Sequence, residues 1–324
     1  MNLFTSSFKR IFKERIVLFI PVLAGILVVF HLVAPPSDGF RVIENNSFWK
    51  KKTFDKNKYE IVVCGDSRIY RGISPDHMKE ILSGYKIINL GYGSAGYGDI
   101  MLNEINKRID FESKKSMVIL GITPLSLTHE GEMNWHLRTE LATKKEELIE
   151  LLYFKKISQF FIPFTFSEME KHVKGKDFYT SKKQEYLDGG WVATYEEKPW
   201  EIAALKSYST RFINNQVLES NINRLVKATG EWTEKGIQVF AFRPPTTEKM
   251  VALEDSLSGF NESNIRERLE NKGAIYLDFE MDKYTTFDGS HLQKESAIRF
   301  SKDLANAIAN NHQSAQNLHN SKNE

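Results

Sequence analysis

Residues 59–96 read YEIVVCGDSRIYRGISPDHMKEILSGYKIINLGYGSAG, and the fold is decided in this stretch. Tyr59–Cys64 is a short run rich in Ile and Val that ends on Gly65-Asp66-Ser67. Ser74-Pro75 then supplies an N-cap followed by proline at the first helical position, which opens a helix through about Leu82. A second apolar run, Tyr85–Leu90, leads into the glycine-rich Asn89–Gly96. Strand, helix and strand in so short a span make a βαβ unit. Neither run alternates apolar with polar positions, which is the pattern of strands covered on both faces, as in a parallel sheet.

The pattern recurs downstream. Met117–Gly121, Ile237–Phe242 and Ala274–Phe279 read as further strands, and Asp99–Ile109 and Asn221–Lys235 as helices between them. A last helix carries Ala297, Phe300, Leu304, Ala307 and Ile308 along one face. The expected architecture is a doubly wound α/β sheet spanning residues 59–311. Residues 126–218 interrupt it between the third and fourth strands with more chain than one crossover needs. There Thr143–Leu152 reads as helix, Phe160–Phe166 concentrates aromatics, and Trp191 and Trp200 fall in loop-like surroundings. This insertion is either a small helical subdomain with its own core, or a lid or a membrane- or partner-facing patch. The polar tail, residues 312–324, reads as disordered.

Before the domain, Ile16–Ala34 carries no formal charge over nineteen residues. That length just crosses a bilayer, whereas a signal-peptide core is about 7–15 residues. Leu32-Val33-Ala34 is a poor cleavage site, so the segment reads as an uncleaved transmembrane anchor. Lys9, Arg10, Lys13 and Arg15 precede it, and in the fifteen residues after it only Arg41 is basic. Residues 1–15 are therefore expected in the cytoplasm and the long C-terminal domain on the extracytoplasmic side. Pro35-Pro36 ends the span, and residues 35–58 read as a polar stalk.

Composition narrows the function classes. The 44 basic and 42 acidic residues are scattered, and the net charge of +2 provides no basic stripe for nucleic acid. One cysteine, Cys64, permits no internal disulfide and reads as a small buried side chain. The eight histidines show no metal-ligand spacing; His129 and His136 lie near each other without a matching cysteine or carboxylate pattern. No Gly-Lys-Ser/Thr follows the glycine loop, and no acidic residue stands where a dinucleotide ribose requires one. No metal and no cofactor are expected.

What remains is acyl chemistry. Ser67 follows the first strand, and Asp288-Gly289-Ser290-His291 follows the fifth strand and precedes the last helix, so strand order brings both to the carboxyl edge of one sheet. A serine hydroxyl is a weak nucleophile until a neighbouring base takes its proton, and that base needs a third group to fix its tautomer. Asp288 is spaced to orient His291 in that way. The plainer readings are an ordinary turn at Ser67 and a helix-capping Asp288 with a surface histidine. The glycine loop lets backbone amides approach a ligand closely, as an oxyanion hole requires.

Gly65-Asp66-Ser67, the Asn89–Gly96 loop and Asp288-x-x-His291, in that order, resemble the SGNH (GDSL-like) hydrolase superfamily over residues 59 to about 310, with 126–218 as an insertion. The resemblance implies a flavodoxin-like α/β/α sandwich, with Ser67 as nucleophile, His291 as general base and Asp288 as its orienting partner. Backbone amides of Ser67 and of Gly93 or Ser94 would bind the oxyanion. Family members commonly place Gly-x-Asn-Asp after the third strand; here Gly121-Ile122-Thr123-Pro124 stands instead, leaving the Thr123 hydroxyl or no donor at all. The chain also resembles the membrane-anchored branch of the superfamily, similar to proteins that work with membrane-bound O-acyltransferases in acylating cell-envelope polymers. Arg243-Pro244-Pro245 resembles an edge loop of that branch, with Arg243 offered to an anionic substrate; a structural ion pair is an equal alternative for Arg243, and for Arg68 and Arg71.

Two functions compete. One is a membrane-anchored serine esterase or O-acyltransferase acting on an envelope glycan or lipid. The other is a binding or scaffold subunit of a polysaccharide modification or export complex that keeps the fold without turnover. Residue types alone leave hydrolysis and acyl transfer undivided, because both pass through an acyl-serine.

Overall fold

The structure is a computed structural model that describes residues 45–149, 182–198 and 200–320, together with Pro21, Val22 and Gly25. The expected anchor falls almost wholly outside the described residues, and the Phe160–Phe166 run does so entirely. Among the described residues no helix is long and apolar enough to cross a membrane. The chain divides into two compact units, of which the larger holds Val42–Lys144 and Ser181–Glu324. A short helix, Lys145–Ile149, belongs to the other unit.

The larger unit has seven strands among its described residues: β1 (Ile61–Gly65), β2 (Ile87–Gly91), β3 (Met117–Gly121), β4 (Lys182–Leu187), β5 (Trp191–Glu196), β6 (Gln238–Phe242) and β7 (Ile275–Leu277). Its helices are α1 (Asn45–Phe54), α2 (Ser67–Gly72), α3 (Pro75–Lys79), α4 (Asp99–Arg108), α5 (His129–Met133), α6 (Trp135–Leu141), α7 (Glu201–Phe212), α8 (Glu219–Glu234), α9 (Glu248–Ser258), α10 (Glu262–Glu270) and α11 (Lys294–Asn320).

Five strands form one parallel sheet in the order β2-β1-β3-β6-β7. Every residue of β1, β2 and β3 is buried, as their unalternating sequences require. Successive side chains serve opposite faces. Val62, Cys64, Val118 and Leu120 pack with Ile105 of α4, Trp232 of α8 and Leu269 of α10. Ile61, Val63, Met117 and Ile119 pack with Ile69 of α2, Met78 of α3 and Phe300 of α11. The molecule is therefore an α/β protein whose sheet is covered by helices on both faces. The chain leaves β1 toward β2 on one side and later returns to place β3 on the other. That reversal opens a crevice at the carboxyl ends of β1 and β3.

Three expectations change. The stalk reading of residues 35–58 fails from Asn45 onward, because α1 is part of the core. Phe48 and Trp49 are buried and pack on Tyr186, Tyr70 and Tyr92. Within the Lys50–Lys52 run Lys51 stays exposed, whereas Lys50 and Lys52 are satisfied internally. Lys50 pairs with Glu140 at 2.8 Å, and Lys52 Nζ donates to Gly91 O at 2.6 Å and Gly190 O at 3.0 Å. Burial holds the Lys52 amine well below the ordinary lysine pKa.

The insertion is not purely helical, since β4 and β5 form an antiparallel hairpin. Its turn depends on Gly189 and Gly190, which take φ of 79° and 93°. Trp191 begins β5 and is buried rather than looped, while Trp200 precedes α7 and stays 41% exposed. Finally, α11 runs to Asn320, well into the tail expected to be disordered. Residues 312–320 contain neither glycine nor proline, so nothing in them stops the helix.

Replacing Trp49 by alanine tests the new role of α1. The full chain should lose about 3–5 kcal/mol in urea denaturation, where an exposed stalk residue would change stability by less than about 0.5 kcal/mol.

Candidate active site

β1 ends at Gly65, whose φ of 151° and tight surroundings exclude a larger residue; a Cβ there would lie 2.8 Å from Gly121 O. Asp66 follows as the N-cap of α2, its Oδ1 accepting the Arg68 N–H at 2.9 Å. Ser67 thereby takes the first helical position. Its N–H has no intrahelical acceptor there, and none is assigned among the described residues.

The histidine arrives from the other end of the chain. Ser67 Oγ lies 2.7 Å from His291 Nε2 across a separation of 224 positions. Asp288 Oδ2 lies 2.7 Å from His291 Nδ1, and Oδ1 accepts the N–H groups of Ser290 at 2.9 Å and His291 at 2.7 Å. The carboxylate can only accept, so Nδ1 carries the proton and Nε2 is left to accept from the serine. Gly289, at φ 79°, lets the loop fold back on itself, and Phe287 stacks on the imidazole with rings 5.6 Å apart at 12°. Burial by itself would raise the Asp288 pKa. The His291 charge and the hydrogen bonds from His291 and Ser290 outweigh that and hold it at about 2.

Beneath the triad, Arg68 ties three elements together. Its guanidinium is buried, grips Glu254 of α9 through two bonds of 3.1 and 2.6 Å, and donates from Nε to Ser290 Oγ at 2.9 Å. Tyr208 of α7 meets the same hydroxyl at 2.8 Å. The residue after the serine is thus bonded to the residue before the histidine.

The expected oxyanion donors separate. The Gly93 N–H is given to His136 Nδ1 at 3.0 Å, whereas no acceptor is assigned to the Ser94 N–H among the described residues. Burial, with Lys52 and Lys50 nearby, lowers the His136 pKa to about 4, which keeps that nitrogen an acceptor at neutral pH. Ser94 adopts φ 51°, unusual for a non-glycine residue, and its hydroxyl accepts from Arg211 at 2.5 Å; Arg211 is itself paired with Glu130. Thr123 does not serve as a donor to an oxyanion here. Its hydroxyl is fully buried and gives its one proton to Asp66 Oδ2 at 2.7 Å. Arg243 is likewise withdrawn from substrate. It is buried with Asp255, Glu262 and Glu254 around it at 2.7, 3.2 and 3.6 Å.

No protein-family model matches the chain, and no curated protein matches it. The chemistry therefore rests on the geometry. The sequence singles out Ser67, Asp288 and His291, which the structure brings together, and offers Arg68 as an ion-pair former; it gives no role to Glu254, Tyr208 or Ser290, nor to His136 behind the glycine loop. Arg68 carried one usable signal. A guanidinium next to a buried strand end requires a carboxylate, but nothing in the sequence selects Glu254 among 42 acidic residues. Among the described residues no cluster suited to a metal ion is present.

The Asp288 carboxyl has a folded pKa of about 2, below the ~3.9 of an unfolded aspartate. Its contribution to stability is therefore complete above about pH 4 and is lost as pH falls from there toward 2. Urea denaturation between pH 2 and 7 should show a limb of about 2 kcal/mol in the wild type that is missing from Asp288→Asn.

Proposed function

We propose that the chain is a serine acyl-transferring enzyme of the SGNH superfamily, with the flavodoxin-like α/β/α sandwich of that group. The observation that carries this reading is the continuous Ser67 Oγ–His291 Nε2, Nδ1–Asp288 Oδ2 chain, with both links at 2.7 Å. Its substrate is an ester on a cell-envelope glycan or lipid. The Ile16–Ala34 segment anchors it in a bilayer with the catalytic domain on the extracytoplasmic side, beside a membrane-bound O-acyltransferase partner.

The steps follow from these groups. Ser67 attacks the acyl carbonyl while its proton moves to His291 Nε2, and Asp288 stabilises the imidazolium. The tetrahedral oxyanion is met by the N–H groups of Ser67 and Ser94. Collapse breaks the ester bond, and His291 returns the proton to the leaving alkoxide, leaving an acyl-Ser67. Water or an acceptor hydroxyl then attacks the acyl-enzyme, gives its proton to His291 and frees Ser67. The acceptor alone separates esterase from transferase.

One observation favours the second reading, a binding or scaffold subunit of this fold. Of the expected oxyanion donors, Gly93 is engaged by His136 and Thr123 by Asp66. Losing one such donor reduces transition-state stabilisation by about 2.7–4 kcal/mol.

Turnover of 4-nitrophenyl acetate by the full chain decides between them. The enzyme reading expects hydrolysis that falls about 10⁴-fold in Asp288→Asn and up to about 10⁶-fold in Ser67→Ala and His291→Ala. Turnover that survives Ser67→Ala, or a folded wild type without any, rejects it.

A further inference from the structure

Four arginines surround the site, and three are neutralised. Arg68 is paired with Glu254, Arg243 with Asp255 and Glu262, and Arg211 with Glu130. Arg71 differs. Its polar partners are all uncharged: Tyr70 Oη at 3.2 Å from Nε, Thr194 Oγ1 at 2.7 Å from Nη1, and the Gln184 carboxamide oxygen, when turned toward it, at 2.6 and 3.0 Å. No carboxylate of the described residues forms an ion pair with it. The rings of Tyr70 and Phe287 face the guanidinium at 5.0 and 5.8 Å. Its backbone is fixed as well, with Trp191 Nε1 donating to Arg71 O at 2.8 Å. The result is a half-buried guanidinium held in one orientation by neutral groups, with no counter-charge among the described residues.

The location gives that charge a meaning. Arg71 lies four residues after Ser67 on α2, one turn along the same helix face. Phe287 links the two, its ring stacked on the His291 imidazole and its centroid 5.8 Å from the Arg71 guanidinium. In acyl transfer through Ser67 the alcohol departs toward the group that protonates it, which is His291 Nε2. The flank carrying Phe287 and Arg71 therefore borders the alcohol, not the acyl chain. With Tyr70, Thr194 and Gln184 on the other donors, the guanidinium offers an anion its remaining Nη2 N–H and its positive charge.

We propose that Arg71 is the anion-recognising residue of the alcohol subsite, so that the alcohol or acceptor carries a carboxylate or phosphate close to the ester oxygen. This rests on the triad reading above and deepens it. The substrate class becomes an acidic hydroxyl compound: an acidic sugar unit or a phosphate-bearing polyol, and not a neutral glycan.

The test compares three acetate esters with the full chain in detergent. They are 4-nitrophenyl acetate, the acetate of a nitrophenol bearing a carboxylate, and the acetate of a nitrophenol bearing a phosphate. The ratio of kcat/KM for an anionic ester over the neutral one should fall roughly tenfold or more in Arg71→Gln. The fall should lie mainly in KM, and Arg71→Lys should restore part of it. Whichever anion shows the effect identifies the ligand. Ratios that do not move for either anion, because all three rates fall together or none does, overturn the proposal and make Arg71 structural. A Ser67→Ala chain titrated with the anionic esters in a calorimeter reads Arg71 without turnover; binding there that Arg71→Gln does not weaken also overturns it. Neutral-ester turnover surviving Ser67→Ala removes the triad reading instead, a separate outcome.

Discussion

A hydroxyl and an imidazole from opposite ends of the domain meet at 2.7 Å, and they do so because a buried guanidinium obliges their supporting loops to coincide. Arg68 enters the interior one residue after Ser67, and a buried charge without partners is destabilising by several kcal/mol. Glu254 of α9 and Ser290 of the histidine loop satisfy it. Helix α2, helix α9 and the loop before α11 therefore come together or the charge stays unpaired. The parallel sheet makes this possible. It delivers the ends of β1, β3, β6 and β7 to one edge, and the tight approach of Gly65 to the Gly121 carbonyl brings Ser67 close against β3. Asp66 works on the same principle, capping α2 with one carboxylate oxygen and holding Thr123 with the other.

The sheet was the most legible part of the molecule. Its strands are apolar on both faces, so burial marks the sequence directly, and each expected strand lies within a few residues of the observed one. Elements whose stability comes from partners distant in sequence were not legible. Helix α1 reads as polar because Lys50 and Lys52 appear solvated until Glu140, Gly91 and Gly190 are brought to them. The β4–β5 hairpin is rich in Lys, Glu and Gln on one strand, and only its Gly189-Gly190 turn announces it. The tail looked disordered from polarity alone, although helix propensity is not polarity.

The same distinction separates the site residues. Ser67, Asp288 and His291 sit in short turn motifs whose chemistry is local, and their residue types point to one reaction. The oxyanion donors depend on which backbone and hydroxyl protons are already in use, which sequence does not record. Thr123 and Gly93 are engaged by Asp66 and His136, while Ser94 keeps its amide and a strained φ of 51°. The arginines show it again. Arg68, Arg71 and Arg243 read alike in sequence as ion-pair formers, yet among the described residues two have carboxylates and one has only neutral partners. Charge balance around a side chain is a property of the assembled fold.

The central claim is that Ser67 is activated by His291. Labelling the folded full chain with a fluorophosphonate probe, followed by peptide mapping, tests it most directly, because the probe reports the activated nucleophile whatever the natural substrate is. The account predicts a single adduct on Ser67 that disappears in Ser67→Ala and forms far more slowly in His291→Ala. Absence of labelling in a folded chain, or labelling at Ser67 at an unchanged rate in His291→Ala, would contradict it.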